Sequence, residues 1–138
     1  MKVGVLIIAH DDLGNVLLDI AQGAIGDAPL AVEVLSVRRD TDPDTLLEQA
    51  TALAEQLDSG AGVLVLTDMY GSTPGNIACR LQQRKPVHVV AGLNLPMLFR
   101  VFNYPDLVLE KMADKAVSGG NAGVLHCGLP QSEQHNGP

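Results

Sequence analysis

Apolar runs alternate with segments of helical period along most of the chain. Four runs are rich in β-branched residues and almost free of charge: Val3–Ala9, Ala31–Val37, Gly62–Thr67 and Val87–Ala91. Such runs are typical of strands buried in a parallel sheet. The segments between them repeat apolar residues every three or four positions, which predicts helices. We therefore expect an α/β fold in three layers, with helices on both faces of one doubly wound sheet.

Start and stop signals place the first two helices. Apolar residues recur at helical spacing from Leu13 to Ala24, and Gly23 and Gly26 are predicted to close the helix. Asp42 is a candidate N-cap, and Pro43 suits the first helical position because it has no amide hydrogen to leave unpaired. This second helix is predicted to run to about Ser59.

The last third of the chain is less regular. The loop Asp68–Gly75 opens a third helix, and Pro96 begins a fourth that ends near Asn103. A further helix is predicted from Pro105 to Val117, followed by a turn at Ser118–Asn121. The short apolar run Ala122–Cys127 predicts an antiparallel edge strand. Residues 129–138 are polar and are predicted to be a flexible tail.

The order of the strands decides where a ligand binds. No GxGxxG motif follows the first strand, so the flavodoxin-like order 2-1-3-4 is favoured over a dinucleotide-binding fold. In such sheets, ligands bind beyond the carboxyl ends of the strands, where the winding reverses. Here that point lies between strands one and three.

Composition and charge argue against several classes of function. The chain has 138 residues, 46% of them apolar, and a formal net charge of −7. We expect one domain over residues 1–128, and the acidic balance argues against binding to nucleic acid or an anionic membrane. Cys79 and Cys127 form no metal-binding motif, and no cofactor is expected. The first apolar run is too short for a membrane span, so a cytoplasmic location is expected.

Two polar residues stand at the predicted switch point. His10 ends strand one and Asp68 ends strand three. A histidine at a strand end often only satisfies a loop carbonyl. A facing carboxylate changes that interpretation, because it holds one ring nitrogen protonated and leaves the other nucleophilic.

The loop after Asp68 contains small and hydroxylated residues. Gly71 allows close approach to the backbone, Ser72 and Thr73 offer hydroxyls, and Pro74 starts a helix. A string of this kind is ordinarily a turn, but beside a histidine it predicts a cradle for an anion. The combination indicates phosphoryl transfer through a phosphohistidine, with no metal site.

Several neighbouring residues have two interpretations. Asp11 and Asp12 form either a solvated helix start or an acidic rim that attracts a basic donor protein. Met69, Tyr70 and Asn94 belong either to the core or to a docking face for a partner.

The chain resembles a known family through three motifs. These are Ala9-His10 after an apolar first strand, the loop Asp68-x-x-Gly71-x-Thr73-Pro74, and the segment Ala91–Leu98 after the fourth strand. Together and in this order they resemble the IIA component of the mannose-type branch of the bacterial phosphoenolpyruvate-dependent sugar phosphotransferase system. The resemblance extends from Met1 to about Cys127.

The resemblance implies a role for each matching residue. His10 corresponds to the histidine that takes a phosphoryl group from the phosphocarrier HPr and passes it to a IIB component or uses it as a regulatory signal. Asp68 corresponds to the aspartate that orients this histidine. Thr73 stands where the family usually has serine, Ser72 where it usually has glycine, and Asp11 where glycine is common. The family also implies a homodimer in which a C-terminal strand crosses to the partner.

Three other functions remain open from the sequence. One is a domain related to the phosphotransfer subunit of dihydroxyacetone kinase, whose first domain is similar. Another is a receiver-like signalling domain phosphorylated on aspartate, because Asp11, Asp12 and Asp68 resemble an acidic pocket. A third is a flavin- or nucleotide-binding domain, although two Tyr, two Phe and no Trp leave few residues to stack on a ring.

Overall fold

The computed structural model describes residues 1–84 and 86–128, so the tail predicted over residues 129–138 lies outside the described residues. Strands and helices alternate along the first two thirds of the chain, and two consecutive helices follow the last strand of the described residues. In chain order the elements are β1 (Gly4–His10), α1 (Leu13–Ile25), β2 (Val32–Val37), α2 (Pro43–Leu57), β3 (Val63–Thr67), α3 (Thr73–Leu81), β4 (Val87–Ala91), α4 (Leu95–Asn103) and α5 (Leu109–Ala122).

The four strands form one parallel sheet in the order β2-β1-β3-β4, which confirms the predicted topology. In the register of β1 with β2, His10 lies opposite Val37. In the register of β1 with β3, Ile8 lies opposite Thr67. The carboxyl ends of β1, β2 and β3 therefore meet at one edge, where the winding reverses.

β1 is buried on both faces, as its uninterrupted apolar sequence predicts. Val5 and Ile7 enter a core formed with α1, α4 and α5, whereas Leu6 and Ile8 enter a second core formed with α2 and α3. His10 continues the alternation of Leu6 and Ile8. The side of the sheet to which it belongs is therefore the side that carries α3.

Helix α1 buries less of its apolar surface than its sequence suggests. Gly14 and Ala21 are its buried residues, and the helix lies so close to the sheet that a Cβ on Gly14 would come within 2.8 Å of Ile7. Leu13, Val16 and Ile20 point away from the core and are 41–50% exposed. This exposed apolar stripe, Leu13-Val16-Ile20, belongs to a helix that packs on the face of the sheet opposite to α3.

The turn and the edge strand predicted near the C-terminus are wrong. The segment Ser118–Asn121 is helical, not a turn, and α5 ends at Ala122. Residues 123–128 form no strand, so the predicted edge strand over Ala122–Cys127 is absent from the described part of this single chain. Gly119 and Gly120 allow α5 to pack closely against α4. A Cβ on Gly119 would lie 2.4 Å from Cβ of Arg100, which belongs to α4.

Candidate functional site

His10 and Asp68 meet at the carboxyl edge of the sheet. Nδ1 of His10 lies 2.7 Å from Oδ2 of Asp68, and the backbone N–H of His10 donates to the same oxygen at 3.1 Å. The His10 side chain is 48% exposed, whereas that of Asp68 is only 10% exposed. A largely buried carboxylate thus fixes the orientation of a ring that solvent and a partner protein can reach.

The environment of Asp68 keeps its carboxyl ionised. Burial by itself raises the pKa of Asp68, but the hydrogen bonds from the ring and backbone of His10, together with the charge of His10, outweigh burial and leave the pKa below 3.8. A carboxylate can only accept hydrogen bonds, so Nδ1 of His10 carries a proton. The lone pair of the neutral ring is then on Nε2, away from Asp68.

The loop after β3 turns sharply toward α3. Gly71 has φ +85°, a conformation that L side chains rarely adopt. Ser72 caps α3: its hydroxyl accepts from the Gly75 N–H at 3.2 Å and donates to the Met69 carbonyl at 2.7 Å. A Cβ on Gly75 would lie 2.3 Å from that carbonyl oxygen. The Ser72 hydroxyl therefore holds the loop together and is already fully used.

Thr73 is the member of the predicted cradle that faces His10. It begins α3, is exposed, and lines a cavity of about 310 Å³ together with His10 and Pro74. Pro74 has no N–H, and the Gly75 N–H is taken by Ser72. The amide and hydroxyl of Thr73 are therefore the donors that this helix start can offer to an anion in the cavity.

Asp11 and Asp12 lie at the mouth of the site with Arg38. Asp11 is the non-glycine residue with positive φ, +46°, among the described residues, at the position where the resemblance has glycine. Nη2 of Arg38 donates to Oδ1 of Asp12 at 2.7 Å, and Nη1 lies 3.9 Å from Oδ1 of Asp11. The acidic rim predicted from the sequence is thus partly neutralised by an arginine.

Exposed apolar residues also follow the end of β3. Met69 and Tyr70 follow Asp68 directly and are 60% and 80% exposed. The stripe Leu13-Val16-Ile20 is exposed as well, but it belongs to α1, which packs on the face of the sheet opposite to α3. The spacing of apolar residues does not distinguish this stripe from the buried face, because α1 is apolar on most of its circumference.

Asn94 lies elsewhere, at the start of α4. Its Oδ1 accepts from the Met97 N–H at 2.9 Å and its Nδ2 donates to the Gly120 carbonyl at 3.1 Å. It lines a separate cavity of about 150 Å³ between β4, α4 and α5. The structure therefore gives the Asn94 side chain a structural role and does not bring it to His10.

Sequence reasoning missed Arg38 and Arg39 as members of the site. Both line the cavity beside His10. The available signal was their position: they directly follow β2, the strand beside β1, so they belong to the same edge of the sheet as His10.

Comparison with known proteins decides the family. A family model described as EIIA-man, PTS system fructose IIA component, matches residues 4–116. The chain belongs to this family. It is therefore a phosphotransferase-system IIA component, as the three motifs predicted.

Individual relatives agree with the EIIA-man assignment. The mannose-specific EIIAB component of Escherichia coli K12 is 29% identical over 127 residues, which cover 90% of this chain. The chain spans only 39% of that relative's length.

Solved EIIA structures share the fold. The mannose/sorbose-specific IIA subunit from Enterococcus faecalis superposes with a TM-score of 0.83 at 25% identity, covering 95% of this chain and 98% of that one. The IIA protein associated with the fucose utilization operon of Streptococcus pneumoniae has a TM-score of 0.79 at 23% identity, with 99% and 98% coverage. Within residues 1–84 and 86–128, no helix has the length and apolarity needed to cross a membrane.

Proposed function

We propose that this EIIA-man chain is a phosphocarrier in which Nε2 of His10 accepts a phosphoryl group from the phosphohistidine of HPr. The observation that carries the proposal is the 2.7 Å contact between Nδ1 of His10 and Asp68. It fixes the tautomer that leaves Nε2 nucleophilic, at the rim of a cavity lined by Thr73.

The transfer balances without a metal or an external base. The N–P bond of the donor breaks, and the donor ring, which is protonated on its other nitrogen, leaves as a neutral imidazole. The new N–P bond forms at Nε2 of His10, whose ring keeps the proton on Nδ1 and becomes a phosphorylated imidazolium. The Asp68 carboxylate stabilises that positive ring, and the amide and hydroxyl of Thr73 donate to the phosphoryl oxygens. The same kind of transfer, from His10 to an acceptor, passes the group to a IIB component; without that step the group remains on His10 as a regulatory signal.

Exposed apolar residues support a docking surface for the donor. Met69 and Tyr70, which follow Asp68 directly, are 60% and 80% exposed, and we expect a carrier protein that reaches Nε2 to contact them. Asp11 and Asp12 lie at the same rim, 70% and 69% exposed, where a basic partner meets them. Because Arg38 pairs with them, we expect only a modest fall in phosphorylation rate with ionic strength.

A homodimer in the cytoplasm is part of the proposal. Val124 and Leu125 are 76% and 74% exposed just beyond α5, and a second copy would cover them. Sedimentation equilibrium of the chain and of Val124→Asp/Leu125→Asp tests this. The chain is expected to have the mass of a dimer and the double variant that of a monomer. The same mass for both proteins would contradict a dimer that uses this segment.

The central experiment is labelling with radioactive phosphoenolpyruvate, enzyme I and HPr. The chain is expected to become labelled, and His10→Gln is expected to lose the label. His88→Gln is the matched control because His88 is exposed on β4, away from the site, and it is expected to keep full labelling. The label should survive base and be lost in acid, as for phosphohistidine. A base-labile label would instead indicate an aspartyl phosphate, the receiver-like alternative.

A further inference from the structure

Two arginines lie beside His10 because of the strand register. His10 pairs with Val37 in the sheet, and the Asp11 N–H donates to the Val37 carbonyl at 3.1 Å. Arg38 and Arg39 follow directly. The cavity of about 310 Å³ is consequently lined by the two arginines together with His10 and Thr73.

The two arginines are not equivalent. Arg38 is held by Asp12 and lies near Asp11. Arg39 makes no ion pair or side-chain hydrogen bond within the described residues, although the chain has a net charge of −7. An unpaired guanidinium beside a nucleophile, in an acidic protein, is suited to a negatively charged ligand.

A phosphoryl group has the charge and shape that match this guanidinium. It presents several anionic oxygens, to which the planar fork of arginine can donate two parallel hydrogen bonds. Thr73 offers only neutral donors, so apart from the His10 ring that carries the group, the other cationic side chain that lines the cavity is Arg38. Arg38 in turn offsets the carboxylates of Asp11 and Asp12, which would otherwise repel the phosphoryl group.

We propose that Arg39 binds the phosphoryl group carried by His10, and that Arg38 is a positioning residue that keeps the Asp12 carboxylate from opposing it. This inference rests on the proposed function, since it concerns the group that His10 receives. It concerns two residues that follow β2 and belong to none of the three motifs.

The first test measures how the phosphoryl group divides at equilibrium between HPr and the chain. Arg39→Ala is expected to lower the equilibrium constant for phosphoryl transfer from HPr to the chain about tenfold at low salt. Arg39→Lys is expected to lower it about threefold, because lysine keeps the charge but lacks the planar guanidinium. Arg80→Ala is the control: Arg80 is exposed near the end of α3 and carries the same charge. Equal constants for Arg39→Ala and Arg80→Ala would overturn the proposal for Arg39.

A double variant tests the role of Arg38. Arg38→Ala is expected to lower the same constant several-fold, and Asp12→Asn added to it is expected to restore most of the loss. A double variant no better than Arg38→Ala would overturn the positioning role.

A second measurement separates this inference from the proposed function. Inorganic phosphate is titrated into the unphosphorylated wild-type chain while the His10 ring signals are followed by NMR. Arg39→Ala is expected to weaken this binding about tenfold, whereas Arg80→Ala leaves it unchanged. If wild-type chain takes no label from HPr, the proposed function fails, and the titration still decides whether Arg39 belongs to an anion site. Equal phosphate affinity in wild type and Arg39→Ala, or no phosphate binding by either, would overturn the proposal that Arg39 belongs to an anion site.

Discussion

The loops after β3 and β4 are built alike and end in different surroundings. Each has a glycine with positive φ, Gly71 or Gly92, and each then has a polar N-cap, Ser72 or Asn94, followed two residues later by proline. After β3 the loop leaves Met69 and Tyr70 exposed beside His10. After β4 the cap also reaches α5, because Asn94 donates to the Gly120 carbonyl.

The difference between the two loops comes from their place in the sheet. β3 pairs with β1, so its loop meets His10 at the point where the winding reverses. β4 is at the edge, and α4 and α5 pack together over that end of the sheet and cover its loop. The same local arrangement of glycine, cap and proline therefore lies beside His10 in one place and joins two helices in the other.

The largest expected effect is on chemistry, from the loop after β3. Asp68→Asn keeps a side chain of similar size but removes the carboxylate that fixes the His10 tautomer. We expect the phosphorylation rate by HPr to fall about 100-fold or more, measured by rapid quench. Asn94→Ala, a change to a hydrogen-bonded polar side chain in the other loop, is expected to leave the rate within about twofold. A similar loss in both would mean that the loops are not functionally distinct.

The next effect is on stability, at the contact between α4 and α5. Gly119→Ala places a Cβ 2.4 Å from Cβ of Arg100, and we expect the free energy of unfolding to fall by about 1–3 kcal/mol. Gly23→Ala is the control, since Gly23 lies within α1 and a Cβ there meets nothing within 4 Å; it is expected to gain about 0.5–1 kcal/mol. Urea titration measures both, and a stabilising Gly119→Ala would show that the helices need no glycine to approach.

Smaller effects distinguish the two caps. Asn94→Ala removes a cap and leaves the Gly120 carbonyl without its partner, so we expect a loss of about 1–2 kcal/mol in unfolding free energy with phosphorylation intact. Ser72→Ala is expected to cost about 1 kcal/mol and also to slow phosphorylation, because the start of α3 positions Thr73. If Ser72→Ala lowers the stability but leaves the phosphorylation rate unchanged, the cap does not position Thr73 for phosphorylation.

The smallest effect is the acid dependence that Asp68 confers. Its pKa is lower in the folded chain than its ordinary value of 3.8, so its ionised form favours the folded state. That stabilisation is complete above about pH 4 and is lost as pH falls through the folded pKa. The stability difference between wild type and Asp68→Asn should therefore shrink below pH 4 in urea titrations. A difference that does not change with pH would show that the ion pair does not favour folding.

Much of this arrangement could be predicted from the sequence. The unbroken apolar runs identify β1 and β3 as central strands, and their polar ends, His10 and Asp68, follow from that placement. The cap at Asp42 was predictable because a single local hydrogen bond, from the Thr45 N–H at 3.0 Å, defines it.

Other features depend on contacts between distant segments. The pair Gly119-Gly120 has the sequence of a turn, and only the approach of α4 shows why glycine is needed within a helix. The division of work between Ser72 and Thr73 was likewise hidden, since either hydroxyl could cap α3. Arg38 and Arg39 are simply two adjacent basic residues in the sequence, because their relation to His10 depends on the register of β2 with β1.

One oxygen of Asp68 holds both the ring and the backbone N–H of His10. The amide hydrogen of His10 is thus protected from exchange by the same acceptor that orients its ring, although the residue lies at an exposed strand end. Phosphorylation at Nε2 would leave that hydrogen bond in place. Hydrogen–deuterium exchange at this single amide consequently reports whether the site is assembled, independently of whether it carries a phosphoryl group.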